Sequence, residues 1–330
     1  MKTQIVITTI NKRSAGMDRF LQFENSEVIV VGDRKTPPYE NAPRLVFLPY
    51  AKQSKLGFCL ARKLPTDHYS RKNLGYLQAF AQQAKTIYDT DDDNLPYPDW
   101  SFPEFLCDRY CAGQHHFVNM YRYFTETFIW PRGFPLDEIN NQEKLVAETG
   151  PHLRVGVWQG LADGDPDVDA IFRLLHDQPT HFEKGEPIIL RSSQYCPFNS
   201  QNTLWSSEAF AYLYLPVTVS FRYTDILRSY IAQRGLWALD LHVGFTRATV
   251  YQERNPHNLM KDFADEVPAY LGVKRICEVL DSLRLERHSL NNLHLMYRAL
   301  VDAELVPREE MTCLEAWISD CKTVLGNALR

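Results

Sequence analysis

The sequence TIYDTDDDN at residues 86–94 joins a short apolar run to a dense group of carboxylates. The apolar lead is typical of the end of a buried strand, and four aspartates follow within five residues. These carboxylates repel one another unless a cation lies among them. Asp91 and Asp93, one residue apart at a strand's carboxyl end, could offer oxygens to one hard divalent cation that also binds substrate phosphates. A solvated acidic loop is the alternative interpretation.

The first hundred residues alternate between strand-like and helix-like segments. Short β-branched runs at residues 5–7, 28–31 and 45–48 are bounded by turn residues, and residues 70–83 carry Leu and Ala at helical spacing. This alternation predicts an α/β fold with a doubly wound parallel sheet, in which ligands bind beyond the carboxyl ends of the strands. The residues expected at that edge, beside the acidic cluster, are Thr8, Thr9 and Asp33.

A second cluster lies at the start of the helix that precedes the acidic strand. Arg71, Lys72 and Asn73 stand where the N–H groups of a helix end already favour phosphate oxygens. We therefore expect these three side chains to grip a diphosphate. An exposed helix start is the alternative role for the two cations.

Composition narrows the class of protein. The chain has 330 residues, is 45% hydrophobic, and carries a formal net charge of −5, so it has no general attraction to nucleic acid or to an anionic membrane. Seven cysteines without framework spacing favour reduced thiols. Residues 4–10 enter a strand directly, without a signal segment, and there is no run of about twenty apolar residues. We expect a cytoplasmic protein, with peripheral contact to a membrane left open.

The rest of the chain divides into two patterns. Residues 95–260 are rich in proline, aromatics and short apolar runs, which indicates further strands with long loops over the same cleft. From residue 261 onward apolar stripes recur at helical spacing, and Pro307 opens a last helix. This helical segment is expected to form a cap or a surface for homo-oligomer formation.

Seven motifs in this order resemble those of the STELLO-type glycosyltransferase family. They are VGDRKTP at 31–37, YSRKNLGY at 69–76, IYDTDDDN at 87–94, WPRGFPL at 130–136, QGLADGDPDVDA at 159–170, PFNSQNT at 197–203 and FRYTDILR at 221–228. More distantly, the layout is similar to the reversibly glycosylated polypeptides, the UDP-arabinopyranose mutases, which carry Arg-Gly-Tyr-Pro where this chain has RGFP at 132–135.

The resemblance implies a GT-A fold over residues 1–260, with a nucleotide-binding half at 1–100 and an acceptor half at 101–260. Residues 261–330 would be a helical extension. It also implies a UDP-sugar donor and Mn²⁺ or Mg²⁺ bound through an Asp-x-Asp element. On this chain, Asp91 and Asp93 match the metal-binding positions of that element, with Asp92 in support.

The resemblance and the residue chemistry together suggest several roles. Asp33, Thr8 and Thr9 would meet the uracil or ribose, and stabilisation of a turn is the alternative role for Asp33. Asp225 matches a catalytic carboxylate at a helix start and could take the acceptor hydroxyl's proton in an inverting transfer; helix capping is its alternative role.

Two residues at 254–258 and one loop complete the expected site. His257 would bind the metal or the diphosphate, and Arg254 is a weaker candidate ligand for the diphosphate. The aspartates that alternate through residues 163–169 lack the pattern of an EF-hand, so we expect an acceptor or donor-sugar loop there.

Arg132 supports two hypotheses. In the mutase relatives the matching arginine is associated with reversible self-glycosylation. A protonated guanidinium is a poor nucleophile, however, so neutralisation of the departing diphosphate is the preferred role. We therefore expect a metal-dependent glycosyltransferase acting on a glycan or lipid-linked acceptor. A UDP-sugar mutase and a non-catalytic UDP-sugar-binding scaffold are the alternatives.

Overall fold

A computed structural model describes residues 3–113, 115–141, 145–176, 178–183, 185–252 and 258–326. The strands are β1 Thr3–Thr9, β2 Ser26–Gly32, β3 Leu45–Leu48, β4 Thr86–Thr90, β5 Asn94–Pro96, β6 Leu106–Cys111, β7 Ala147–Gly164, β8 Ile188–Ile189, β9 Asn202–Ser206 and β10 His242–Gln252. The α-helices are α1 Ala15–Phe20, α2 Tyr50–Gln53, α3 Asn73–Ala81, α4 Ala170–Leu175, α5 Thr224–Ala238, α6 Leu259–Asp281, α7 Ser289–Asp302 and α8 Glu310–Leu325.

The described strands form one mixed sheet in the order β3-β2-β1-β4-β9-β7-β6-β8-β10-β5. The first four are mutually parallel, and β9 pairs antiparallel with both β4 and β7. A Rossmann-like parallel half therefore continues, through a reversed strand, into a second half built on β7 and β10. The predicted α/β class and GT-A fold are confirmed by this layout.

Gly75, in the second motif, allows α3 to pack closely against the parallel half of the sheet. A Cβ on Gly75 would lie 2.5 Å from Val6 Cγ1 and 2.9 Å from Val31 Cγ2. The helix can approach β1 and β2 this closely only because residue 75 has no side chain. The predicted helix is present, but its first turn, Tyr69–Lys72, is a 3-10 turn.

Helices α6, α7 and α8 occupy the part of the chain for which a helical segment is predicted. They share the largest buried cluster with α3 and α5: Trp317 of α8 is fully buried, and its ring lies edge-on to Phe80 with the centroids 5.7 Å apart. The division of the chain into domains stays a prediction. Among the residues described here, no helix is long and apolar enough to cross a bilayer.

Glu310 joins α8 to the segment that leads toward α5. It is fully buried, and its carboxylate accepts hydrogen bonds from the backbone N–H groups of Val217 (3.0 Å) and Thr218 (2.8 Å). The hydroxyls of Thr218 and Tyr214 also donate to it, at 2.6 and 2.5 Å. These donors compensate for the desolvation of the buried carboxylate.

Glu310→Ala is expected to lower the free energy of unfolding by about 3 kcal/mol, because it leaves several buried donors without an acceptor. Glu310→Gln keeps one carbonyl oxygen in place and should cost less. Urea unfolding measures both. A loss below about 1 kcal/mol for the alanine variant would show that this junction does not depend on the carboxylate.

Candidate active site

A cleft of about 510 Å³ opens at the carboxyl ends of β1, β2 and β4. Among the described residues that line it, the charged side chains are eight aspartates and four cations. They are Asp33, Asp67, Asp91, Asp92, Asp93, Asp165, Asp167 and Asp225, with Lys35, Arg132, Arg173 and Arg222. Both halves of the sheet contribute to this list.

Three of the four lining cations are already paired with carboxylates. Arg173 binds Asp165, Arg222 binds Glu266 at 2.6 Å, and Arg132 binds two aspartates. The cleft therefore has little cationic capacity of its own for a polyanion such as a nucleotide diphosphate.

Asp91, Asp92 and Asp93, which directly follow β4, are called the acidic tip below, and each of them has different partners. Asp91 accepts a 2.7 Å hydrogen bond from the Tyr69 hydroxyl. Asp92 accepts from the Thr9 hydroxyl and from Asn11 Nδ2, the latter at 2.9 Å. Asp93 accepts from Gln252 Nε2 at 2.8 Å. The tip is thus held by β1 on one side and by the end of β10 on the other.

The surrounding protein disfavours charge on two of these carboxyls. Although 32% of the Asp91 side chain is exposed, desolvation by its surroundings raises its pKa to about 7, against the opposing effect of Lys72. Burial also raises the pKa of Asp93. A bound cation would favour the ionised form of both groups.

Lys72 lies under the acidic tip, not in the cleft. Its buried Nζ is 2.6 Å from Asp89 Oδ1, 3.6 Å from Asp91 Oδ1, and donates to the Thr90 carbonyl at 2.7 Å. Arg228 of α5 completes this network with a 2.9 Å ion pair to Asp89. The local sequence does not reveal the network, because its cations come from distant segments.

The predicted diphosphate grip is corrected by this arrangement. Arg71 is buried and donates to Gln53 Oε1 and to the carbonyls of Leu64 and Pro65. Asn73 exchanges hydrogen bonds with the backbone of Leu215. Arg71 and Asn73 do not line the cleft, and Lys72 forms a buried ion pair with Asp89. The 3-10 turn at Tyr69–Lys72 and the start of α3 thus place these groups inside the protein instead of in the cleft.

The residues predicted to meet the nucleoside do line the cleft. Asp33, 5% exposed, accepts hydrogen bonds from the backbone N–H groups of Arg34 (2.7 Å) and His68 (3.3 Å). Thr8 donates to the Val31 carbonyl at 3.1 Å, while Thr9 holds Asp92. Asp33 therefore has the turn-stabilising role as well as a place at the edge of the cleft.

Arg132 lies between two carboxylates from different segments. Its Nε and Nη2 donate to Asp167 at 2.7 and 2.8 Å, and Nη2 also lies 3.0 Å from both oxygens of Asp225. Nη1 donates to the Arg222 carbonyl. Burial alone would lower the pKa of Arg132, but the two aspartates raise it well above its usual value. The Arg132 guanidinium therefore stays protonated and is held in place by these contacts.

The glycine after Arg132 permits this contact. Gly133 has φ +82, and a Cβ there would lie 2.3 Å from Ile226 Cγ2 in α5. Only glycine accommodates both the left-handed backbone and the close approach. The RGFP motif thereby brings Arg132 against the first turn of α5, where Asp225 lies.

Each aspartate of the alternating loop has its own partner. Asp163 binds the Tyr97 hydroxyl at 2.8 Å, and Asp169 caps α4 and accepts from Trp130 Nε1 at 2.6 Å. Asp165 and Asp167 line the cleft. The loop thus contributes to the site through two of its aspartates and to the fold through the other two.

Arg254 and His257 lie outside the described residues. Within the part of the chain that the structure describes, no three His, Cys, Asp or Glu side chains converge as a ready-made metal site. Asp91 and Asp93 both line the cleft.

A parallel, Rossmann-like half with an acidic cleft at its carboxyl edge is the arrangement of a GT-A fold. Residues 222–327 match the family described as STELLO glycosyltransferases. Two Arabidopsis thaliana proteins, named probable glycosyltransferase STELLO1 and STELLO2, are each 29% identical to 96% of this chain. The resemblance to STELLO-type glycosyltransferases is confirmed. The chain spans 44% of the length of each of these relatives.

Two solved structures are similar in outline. Glucosyl-3-phosphoglycerate synthase from Mycobacterium tuberculosis, in complex with phosphoglyceric acid, is 11% identical, with a TM-score of 0.40 over 85% of this chain and 81% of that one. A mycobacterial protein is 10% identical, with a TM-score of 0.42 over 82% and 74%.

Proposed function

We propose that this chain is a metal-dependent glycosyltransferase that transfers a sugar from a nucleotide-diphosphate donor, most simply a UDP-sugar. The supporting observation is the charge of the cleft: eight aspartates face four cations, three of which are already paired. A diphosphate would be repelled from such a cleft unless a divalent cation accompanied it.

Asp91 and Asp93 suit that cation. Mg²⁺ is usually held by one or two carboxylates together with substrate phosphates, and not by a complete protein cage. Asp91 and Asp93 both line the cleft and are separated by one residue, which fits this pattern. When bound, the cation would neutralise the charge that develops on the leaving diphosphate.

Asp225 is the proposed general base. It lines the cleft in the first turn of α5, and Ser200 N–H donates to its Oδ2 at 3.1 Å. The carboxylate would accept the proton of the acceptor hydroxyl as that oxygen attacks the anomeric carbon, which gives inversion. A glycan or a lipid-linked sugar is the proposed acceptor.

Arg132 serves in this proposal as a positioning residue for Asp225. Its donors are committed to Asp167, Asp225 and the Arg222 carbonyl, which leaves little capacity for a diphosphate. The same contacts weaken the self-glycosylating mutase hypothesis, because a guanidinium held in its protonated form is not a nucleophile.

A panel of UDP-, GDP- and CDP-sugars, each with and without Mn²⁺, tests the function through thermal unfolding. The correct donor at a hundred times its Kd should raise the Tm by about 4 °C, and only with metal present. Equal stabilisation without metal would contradict metal dependence. Metal-dependent binding without donor consumption over an acceptor panel would favour the scaffold alternative.

A further inference from the structure

Phe221 is an exposed aromatic side chain in the lining of a cleft that carries many charged side chains. It is 57% exposed although it lines the cleft. Its ring lies edge-on to Tyr69, with centroids 5.3 Å apart and an interplanar angle of 76°. The Tyr69 hydroxyl in turn binds Asp91. The Phe221 ring thus contacts Tyr69, which binds the acidic tip, and Phe221 lies four residues before Asp225 in the chain.

The backbone around Phe221 is fixed. Ser220 Oγ donates to the Asp265 carbonyl at 2.5 Å, and the Ser220 carbonyl accepts from Tyr223 N–H and the Thr224 hydroxyl, both at 3.0 Å. The Arg222 side chain is paired with Glu266 of α6. An aromatic group held in place before a ligand arrives loses little conformational entropy on binding.

The groups that share the cleft with Phe221 suit one kind of ligand. An exposed phenylalanine alone is ordinary, but here the same cleft is lined by Gln201 and by two carboxylates, Asp165 and Asp167, that are paired with arginines and keep further acceptor capacity. A sugar ring has an apolar C–H face that can stack on an aromatic ring, and hydroxyls at its rim that can donate to carboxylates. The excess of aspartates disfavours an acceptor that carries phosphate or carboxylate.

We propose that Phe221 is the platform of an acceptor subsite that binds an uncharged sugar ring and discriminates against anionic sugars. The proposal rests on the proposed glycosyltransferase function and specifies its acceptor class. It assigns Phe221 to binding only, with the chemistry left to Asp225.

Saturation-transfer NMR on the full chain with UDP and Mg²⁺ tests the subsite. The probes are methyl β-glucoside, cellobiose, glucose 6-phosphate and glucuronate. The variants are Phe221→Ala, Phe221→Trp and, as a matched control outside the cleft, Phe128→Ala, whose side chain is 38% exposed. Isothermal titration of UDP with Mg²⁺ is run on every variant.

We expect the neutral sugars to bind the parent and the Phe128→Ala variant alike, and Phe221→Ala to bind them about tenfold more weakly. Phe221→Trp should restore binding, and UDP affinity should not change. Unchanged neutral-sugar binding by Phe221→Ala, equally tight binding of the anionic probes, or no sugar binding to UDP-loaded parent would each overturn the subsite while leaving the donor site intact. Failure of the parent to bind UDP would instead reject the proposed function, and the subsite with it.

Discussion

Asp91→Asn and Asp93→Asn should each weaken metal-dependent donor binding by on the order of 100-fold. Each variant removes one of the two carboxylates proposed to hold the cation, and replacing even outer-shell partners of metal sites commonly costs 10–100-fold. Isothermal titration of UDP in the presence of Mn²⁺ measures the loss. Asp137→Asn is a matched control, because that carboxylate is 69% exposed and lies outside the cleft lining.

The stability of the metal-free variants separates ligand loss from misfolding. Burial raises the pKa of Asp91 in the folded protein to about 7, above the ordinary value of 3.8 for an aspartate, so ionisation at pH 8 disfavours the folded state. Asparagine removes that charge, and Asp91→Asn should therefore unfold at the parental Tm or above it at pH 8. Donor binding within threefold of the parent by both asparagine variants would remove the basis for the metal assignment.

Asp225→Asn should lower kcat by about 10³-fold while donor affinity stays within threefold of the parent. The amide keeps an acceptor for Ser200 N–H but cannot take a proton, and loss of a general base typically costs 10²–10⁴-fold. Turnover is measured as UDP release with an acceptor present, and donor affinity by titration. Retention of a tenth or more of the parental kcat would reduce Asp225 to a structural residue.

Arg132→Lys distinguishes the two roles of that arginine. Lysine keeps the positive charge but cannot bridge Asp167 and Asp225 in the same planar way. If Arg132 positions the base, kcat falls while UDP affinity is preserved. If Arg132 contacts the diphosphate, UDP affinity falls as well.

The parallel half of the fold could be predicted because its signals are local. Each of β1, β2 and β3 contains a short apolar run that ends near turn residues, and the acidic tip follows β4 directly. The edge of a parallel sheet then places Thr9, Asp33 and Asp92 around one cleft without further information.

The binding partners of the cationic side chains could not be predicted in the same way. Whether Lys72 faces a ligand or Asp89 depends on Arg228, which lies 139 residues from Asp89 in the chain. Arg132 and Asp225 are likewise 93 residues apart, and their contact depends on the close approach that Gly133 allows. The sequence identifies these residues as candidates, but their contacts are determined by the tertiary structure.

The most direct measurement is the position of the metal in crystals grown with MnCl₂ and UDP. An anomalous difference map at the manganese edge should show one peak about 2 Å from carboxylate oxygens of Asp91 and Asp93, with the UDP phosphates also bound to it. A manganese peak elsewhere, with both carboxylates turned to solvent and the nucleotide outside this cleft, would contradict the proposal.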